Sequence, residues 1–169
     1  MELTRAVYLS IGSNIENRLD HLRLAITGIS KYAGKVSAVS PIYESEPVGF
    51  ESPKKFLNAC LKVETRLSPR ELLTTISSIE EESGRKRNHN TYTDRTLDID
   101  IILFGDDVLD HPDLQIPHPR YTERLFVLLP LIELNKDLID PVSSIPVSRI
   151  LKSCTDTSGI SMTNLRLII

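Results

Sequence analysis

Leu97-Asp98-Ile99-Asp100-Ile101-Ile102-Leu103, running on to Gly105, is the most apolar strand candidate of the chain, and two acids interrupt it. Side chains two apart on a strand share a face. Asp98 and Asp100 therefore project together, while Ile99, Ile101 and Leu103 face the opposite, core side. Two like charges inside a strong strand are costly unless a cation neutralises them. Strand rise puts their Cα atoms about 6.5–7 Å apart, so the two carboxylates can share one Mg²⁺ or hold two. The alternatives are a solvated face, or ion pairs with Arg87 and Arg95.

Immediately upstream, residues 85–95 carry Arg85, Lys86, Arg87 and Arg95 against a single acid, Asp94, in a chain of net charge -3. Arginines grip phosphate oxygens in bidentate fashion. An aperiodic loop of this kind can close over a ligand or remain a solvated linker. Before the loop, Ser68-Pro69-Arg70-Glu71 places Ser at the N-cap, Pro at N1 and Glu at N3, which predicts a helix through Leu72, Leu73, Ile76 and Ile79 to about Ser83.

Earlier still, Val7, Leu9 and Ile11 alternate along a first strand, which Gly12-Ser13-Asn14 turns. Leu19, Leu22, Ile26 and Ile29 recur at helical spacing. Residues 35–43 form a β-branched second strand, and Phe56–Glu64 a third. The order strand, helix, strand, strand, helix, strand predicts an α+β, ferredoxin-like sandwich: a mostly antiparallel sheet with helices packed on it. Downstream, Val108 and Leu109 read as a short edge strand. Residues 122–134 read as a helix interrupted or bent at Pro130. Residues 1–154 form the expected domain, with a Thr/Ser-rich C-terminal extension at 155–169.

Two further segments present polar groups. Prolines on both sides hold His118 extended in Pro117-His118-Pro119-Arg120, with Arg124 following. Phe56 and Asn58 share a strand face, giving a ring to stack on a planar heterocycle and an amide to bond its edge; a core Phe and a turn Asn are the plainer reading. No Gly-rich phosphate loop, dinucleotide fingerprint or protein-kinase motif set is present.

At 169 residues, 40% hydrophobic and 25% charged, the chain suits one folded domain. Its net charge excludes a general polyanion binder. Cys60 and Cys154 read as unpaired thiols of a reducing compartment. No run approaches the roughly 18 apolar residues of a membrane span, so the expected location is the cytoplasm.

With these residues in view, the chain resembles the 6-hydroxymethyl-7,8-dihydropterin pyrophosphokinases of folate biosynthesis. The resemblance is carried by Ile11-Gly12-Ser13-Asn14, Glu46-Pro47-Val48-Gly49, Phe56-Leu57-Asn58-Ala59, Ile79-Glu80 with Gly84-Arg85, Arg95-Thr96-Leu97-Asp98-Ile99-Asp100-Ile101, and Ile116-Pro117-His118-Pro119-Arg120 leading to Arg124 and Phe126. It implies pyrophosphoryl transfer from ATP to the hydroxymethyl oxygen of the pterin, with release of AMP. It implies that Asp98 and Asp100 bind two Mg²⁺ and act in catalysis with Arg85 and Arg95. Leu73, Glu80, Arg87, Ile101, His118 and Arg124 are then expected at ATP, and Ser45, Val48, Phe56, Asn58 and Phe126 at the pterin. Dihydropteroate synthase is the implied partner, fused to the chain or acting beside it; neither nucleic acid nor membrane is expected. The chain departs from the family pattern at Tyr92-Thr93-Asp94, where Trp-Gly-Pro is common, and at Thr91, where some members carry Arg. A two-metal phosphodiesterase and a ferredoxin-like RNA-binding module are the competing readings.

Overall fold

The computed structural model describes residues 3–85 and 92–169. The strand–helix alternation appears in the expected order: β1 (Arg5–Ser13), α1 (Arg18–Tyr32), β2 (Lys35–Val39), β3 (Tyr43–Ser45), β4 (Phe56–Thr65), α2 (Pro69–Glu82) and β5 (Asp98–Phe104). The predicted cap of α2 is realised in full. The Ser68 side chain accepts from the Glu71 N–H and the Glu71 carboxylate accepts from the Ser68 N–H, with Pro69 at N1.

All pairings in the main sheet are antiparallel, in the order β5-β1-β4, with β2 and β3 side by side along the far edge of β4. This is the ferredoxin-like arrangement. What was expected as one strand over 35–43 is broken in two at Ser40-Pro41, where proline has no N–H to give to the ladder. Helices α1 and α2 pack on one face over a core that includes Leu9, Ile11, Leu22, Ile29, Leu61, Leu72, Ile76, Ile79, Ile99 and Ile101.

The second face is covered as well. The predicted helix at 122–134 is a 3₁₀ turn (Tyr121–Glu123) followed by α3 (Leu125–Leu134), which runs through Pro130 without interruption. With α4 (Val147–Ser153) it buries Tyr8, Cys60, Ile102, Leu103, Val127, Leu128 and Leu131 in a separate cluster. Cys60 and Cys154 are unpaired, and burial pushes the Cys60 thiol pKa up. The expected edge strand at Val108-Leu109 forms instead a hairpin outside the main sheet, β6 (Leu109–His111) with β7 (Leu114–Ile116). Within the 155–169 stretch, β8 (Ile160–Met162) pairs with β3 and extends the sheet.

Leu103 lies on the opposite face from the one expected. Leu9 pairs with Ile101 but Tyr8 pairs with Leu103, so Ile102 is an extra residue on β5. A bulge of this kind ends strict alternation. Ile102 and Leu103 both enter the α3 layer, while Ile99, Ile101 and Phe104 enter the α1/α2 layer.

The α3 layer has one buried polar anchor. Asp140, 5% exposed, accepts from the Tyr121 hydroxyl and from the Ser143 N–H and Oγ–H. Burial alone would raise its pKa, but these hydrogen bonds outweigh burial and hold it below the usual carboxylate range. Its contribution is therefore present above the unfolded-state pKa and lost as pH falls through the lower folded value. Asp140→Ala is expected to cost roughly 2–3 kcal/mol in urea unfolding near neutral pH. The gap between variant and parent should narrow below about pH 4, and a pH-independent gap would contradict this account.

Candidate active site

Strand β5 lies at the edge of the sheet, and the Asp98–Asp100 pair sits at the junction of two clefts. The first encloses about 380 Å³ up to its open mouth and is lined by Ser45, Val48, Phe56, Asn58 and Phe126 together with Arg95, Asp98 and Arg124. All five residues expected at the pterin therefore share one cavity, although they come from β3, the loop after it, β4 and α3. In the antiparallel register Asn58 stands opposite Gly12. A Cβ on Gly12 would lie 3.1 Å from the Asn58 Oδ1, so glycine leaves room for that amide. Asn58 Nδ2 donates to the Ser45 hydroxyl at 2.8 Å, which fixes which edge the amide presents.

Phe50 and Tyr92 also line this cleft, unforeseen from sequence. Phe50 packs edge-on against Phe56, with ring centroids 6.1 Å apart. The available signal was position: Phe50 follows Pro47-Val48-Gly49, and Tyr92 is the aromatic standing where relatives of this pattern have Trp.

The second cleft is a wide, open one between β5, the start of α2 and the β6–β7 hairpin. Leu73, Asp100, Ile101 and His118 line it. His118 is pinned by its own N–H, which donates to the carbonyl of the bulge residue Ile102 at 2.9 Å. Its Nδ1 accepts from the Arg120 N–H, which leaves the ring proton on Nε2. Burial, with Arg124 nearby, pushes the His118 pKa down to about 4, so the imidazole is neutral at physiological pH.

Not every expected ATP residue reaches this cleft. Arg124 lines the first cleft instead, its guanidinium 5.6 Å from the Phe126 ring centroid. Glu80 is only 3% exposed and lies beneath the site: it accepts from the Ile99 N–H at 2.7 Å and from Arg85. Arg87 lies outside the described residues.

The acids themselves are treated differently by their surroundings. Arg85 donates to Asp98 Oδ1 at 2.8 Å and Arg95 to Asp98 Oδ2 at 2.9 Å. The ion-pair alternative thus holds for Asp98 with Arg95, and Arg85 joins it. Burial alone would lower the Arg85 pKa, but Asp98 and Glu80 raise it above the ordinary value. Asp100, by contrast, has no hydrogen bond or ion pair among the described residues. Burial, then repulsion from Asp98 and Glu80, pushes its pKa up to about 8. A half-buried carboxylate in that state is short of positive charge.

Asn14, expected in a turn, is 3% exposed and joins the loops flanking the first cleft. Its Oδ1 accepts from the Arg95 N–H at 2.8 Å, and its Nδ2 donates to Asp94 at 2.7 Å and to the Lys54 carbonyl at 3.2 Å.

Comparison with known proteins identifies the family. The 7,8-dihydro-6-hydroxymethylpterin-pyrophosphokinase (HPPK) family matches residues 8–136. A 2-amino-4-hydroxy-6-hydroxymethyldihydropteridine pyrophosphokinase of Bacillus subtilis is 42% identical over 133 residues, covering 78% of this chain and 79% of that protein. The folic acid synthesis protein fol1 of Pneumocystis carinii is 38% identical over 151 residues; the match covers 89% of this chain but 20% of that longer protein. The crystal structure of wild-type Plasmodium falciparum HPPK-DHPS shares the fold, with a TM-score of 0.73 at 17% identity over 90% of this chain and 45% of that one. The match in sequence along most of the chain and the shared fold agree, and the chain belongs to the 7,8-dihydro-6-hydroxymethylpterin-pyrophosphokinase family, ATP-dependent diphosphotransferases of folate biosynthesis.

Proposed function

We propose that the first cleft holds the pterin and the second the nucleotide, so that the pterin hydroxymethyl group meets the triphosphate over Asp98 and Asp100. The carrying observation is that the two acids lie at the junction of a cavity with stacking rings and an amide and a cavity with apolar walls and a neutral histidine. In this reading Phe56 and Phe126 sandwich the pterin, and Asn58 with backbone groups at Ser45 and Val48 reads its edge. Leu73, Ile101 and the Nε2–H of His118 contact ATP. Arg124, on the first cleft, faces the transferred group from the pterin side, and Arg87 is assigned to ATP by sequence alone.

The acids fit Mg²⁺. Their donors are hard oxygens, and among the described residues no cation forms an ion pair with Asp100. Among the described residues no third Asp, Glu, His or Cys completes a cage, which suits an ion held by one or two carboxylates plus phosphate oxygens and water. When bound, Mg²⁺ supplies charge neutralisation at the triphosphate.

The reaction joins the pterin hydroxymethyl oxygen to the β-phosphorus of ATP, breaks the bond from that phosphorus to the oxygen retained by AMP, and releases the hydroxyl proton to water. The chain's own contribution is positioning and charge. Arg85 and Arg95 face the departing phosphate and offset the negative charge that develops there. Aromatic stacking holds the hydroxymethyl group in line. Glu80 acts from below, fixing Arg85 to β5 rather than touching ATP.

Calorimetry with a non-hydrolysable ATP analogue is expected to show tighter binding with Mg²⁺ than without, by about tenfold or more. Equal affinity in the two conditions would remove the metal from the site. Product analysis with ATP and the hydroxymethyl-dihydropterin should give AMP rather than ADP. The cytoplasm is the proposed location, supported by the two free thiols; no helix among the described residues is long and apolar enough to cross a membrane. Action beside dihydropteroate synthase is likewise proposed, supported by the fused HPPK-DHPS structures.

A further inference from the structure

The two walls of the first cleft come from different elements, β3 and the start of α3, which meet directly where the Tyr43 hydroxyl reaches Glu133, at the far end of α3 from the cleft. Helix α3 has no side-chain cap of its own: its N-cap is Arg124, which makes no capping hydrogen bond. The cap comes from 31 residues further along the chain. Asp156 Oδ2 accepts from the N–H of Leu125 at 3.0 Å. Its other oxygen accepts from the Ser158 N–H at 2.8 Å and from the Ser158 hydroxyl at 2.6 Å, so the carboxylate is held on both sides. Arg124 and Phe126, the residues flanking Leu125, both line the cleft.

Three residues later the same segment reaches the opposite wall. The Gly159 carbonyl accepts from the Glu46 N–H at 3.0 Å, and Ile160 stands opposite Ser45 in the β3–β8 ladder. A Cβ on Gly159 would lie 3.3 Å from the Glu46 carboxyl, a close approach that a larger residue would disturb. Ser45 and Glu46 belong to the cleft lining.

We infer that residues 156–162 are a strap that sets the spacing of the two cleft walls, with Asp156 as the positioning residue for Phe126 and Arg124. The inference rests on the reading of this cleft as the pterin site. Asp156 touches no substrate in this account; it acts by capping α3 with a negative charge at the positive end of the helix dipole. Burial opposes that charge, but the bonds from Ser158 and Leu125 and the field of Arg124 outweigh it and keep the carboxylate ionised.

The test is calorimetry on the full chain, titrating 6-hydroxymethylpterin in the presence of Mg²⁺ and a non-hydrolysable ATP analogue, and the analogue separately. Asp156→Ala is expected to weaken pterin binding about fivefold, the equivalent of one lost cap, with analogue affinity falling clearly less. In turnover, the pterin KM should rise more than kcat falls. Asp156→Asn keeps an oxygen for the Leu125 N–H and should restore most of the pterin affinity. Weakening of both ligands in proportion would mark a merely structural residue and overturn the inference, as would unchanged pterin binding in Asp156→Ala. If Asp156→Ala does not fold, Gly159→Val, which crowds Glu46 at the other end of the strap, decides alone: pterin affinity must fall clearly more than analogue affinity. Phe56→Ala separates the two levels. If it leaves pterin binding intact, the cleft assignment fails; if it weakens binding while Asp156→Ala does not, the strap alone fails.

Discussion

Asp100→Ala is expected to lower kcat by about a thousandfold or more while leaving the ligand-free protein as stable as the parent, or more so. The two halves of this expectation have one cause. Asp100 is half-buried without a hydrogen-bonding or ionic partner among the described residues, and Asp98 and Glu80 repel it. At neutral pH a carboxyl whose pKa is raised to about 8 is largely protonated in the empty protein, so removing it takes away a group whose ionised form the fold disfavours. In the loaded enzyme it removes one of two carboxylates proposed to hold Mg²⁺ against the triphosphate. Rapid-quench measurement of AMP formation reads the first effect and thermal melting without ligand the second. A variant that loses stability and keeps turnover within about tenfold would show Asp100 to be structural.

Arg85→Ala should cost both activity and stability. Its Nη1 lies between Glu80 and Asp98, at 2.8 Å from the latter, and its side chain is 20% exposed. Deleting it leaves a buried glutamate and a half-buried aspartate with one fewer cation, a change that costs about 3 kcal/mol when one partner of a buried ion pair is lost. The same guanidinium is proposed to face the departing phosphate, where loss of one donor lowers kcat by roughly a hundredfold to a thousandfold. Denaturant melts and single-turnover kinetics separate the two effects. Arg85→Lys keeps the charge but not the forked geometry, so it should recover more stability than activity. Full activity in the lysine variant would reduce the role of Arg85 to a point charge.

The order of elements was legible because each carried its own local signal. The α2 cap reads from four residues, and the acid-bearing strand reads from period-two alternation. The cleft residues at 45, 48, 56, 58 and 126 followed from resemblance, since nothing in the local sequence of Phe126 indicates that α3 carries it over to β4. Sequence did not show the Ser40-Pro41 break as the end of a strand, the β6–β7 hairpin, α4 or the docking of β8. These depend on long-range pairing, and their segments are short. Arg124 and Glu80 were assigned to the nucleotide by resemblance. The fold sends one to the other cleft and buries the other, where only packing decides which cation it meets.

The extra residue at Ile102 has a consequence for which insertions and deletions this enzyme can accept. Adding or removing one residue between Asp100 and the bulge would alter how β5 enters the α3 layer and shift the carbonyl that holds His118. A one-residue change ahead of Asp98 that carried β5 along its ladder would exchange the two acids with the isoleucines beside them, turning carboxylates toward the greasy underside of α2. Length is therefore tightly constrained on both sides of the acids.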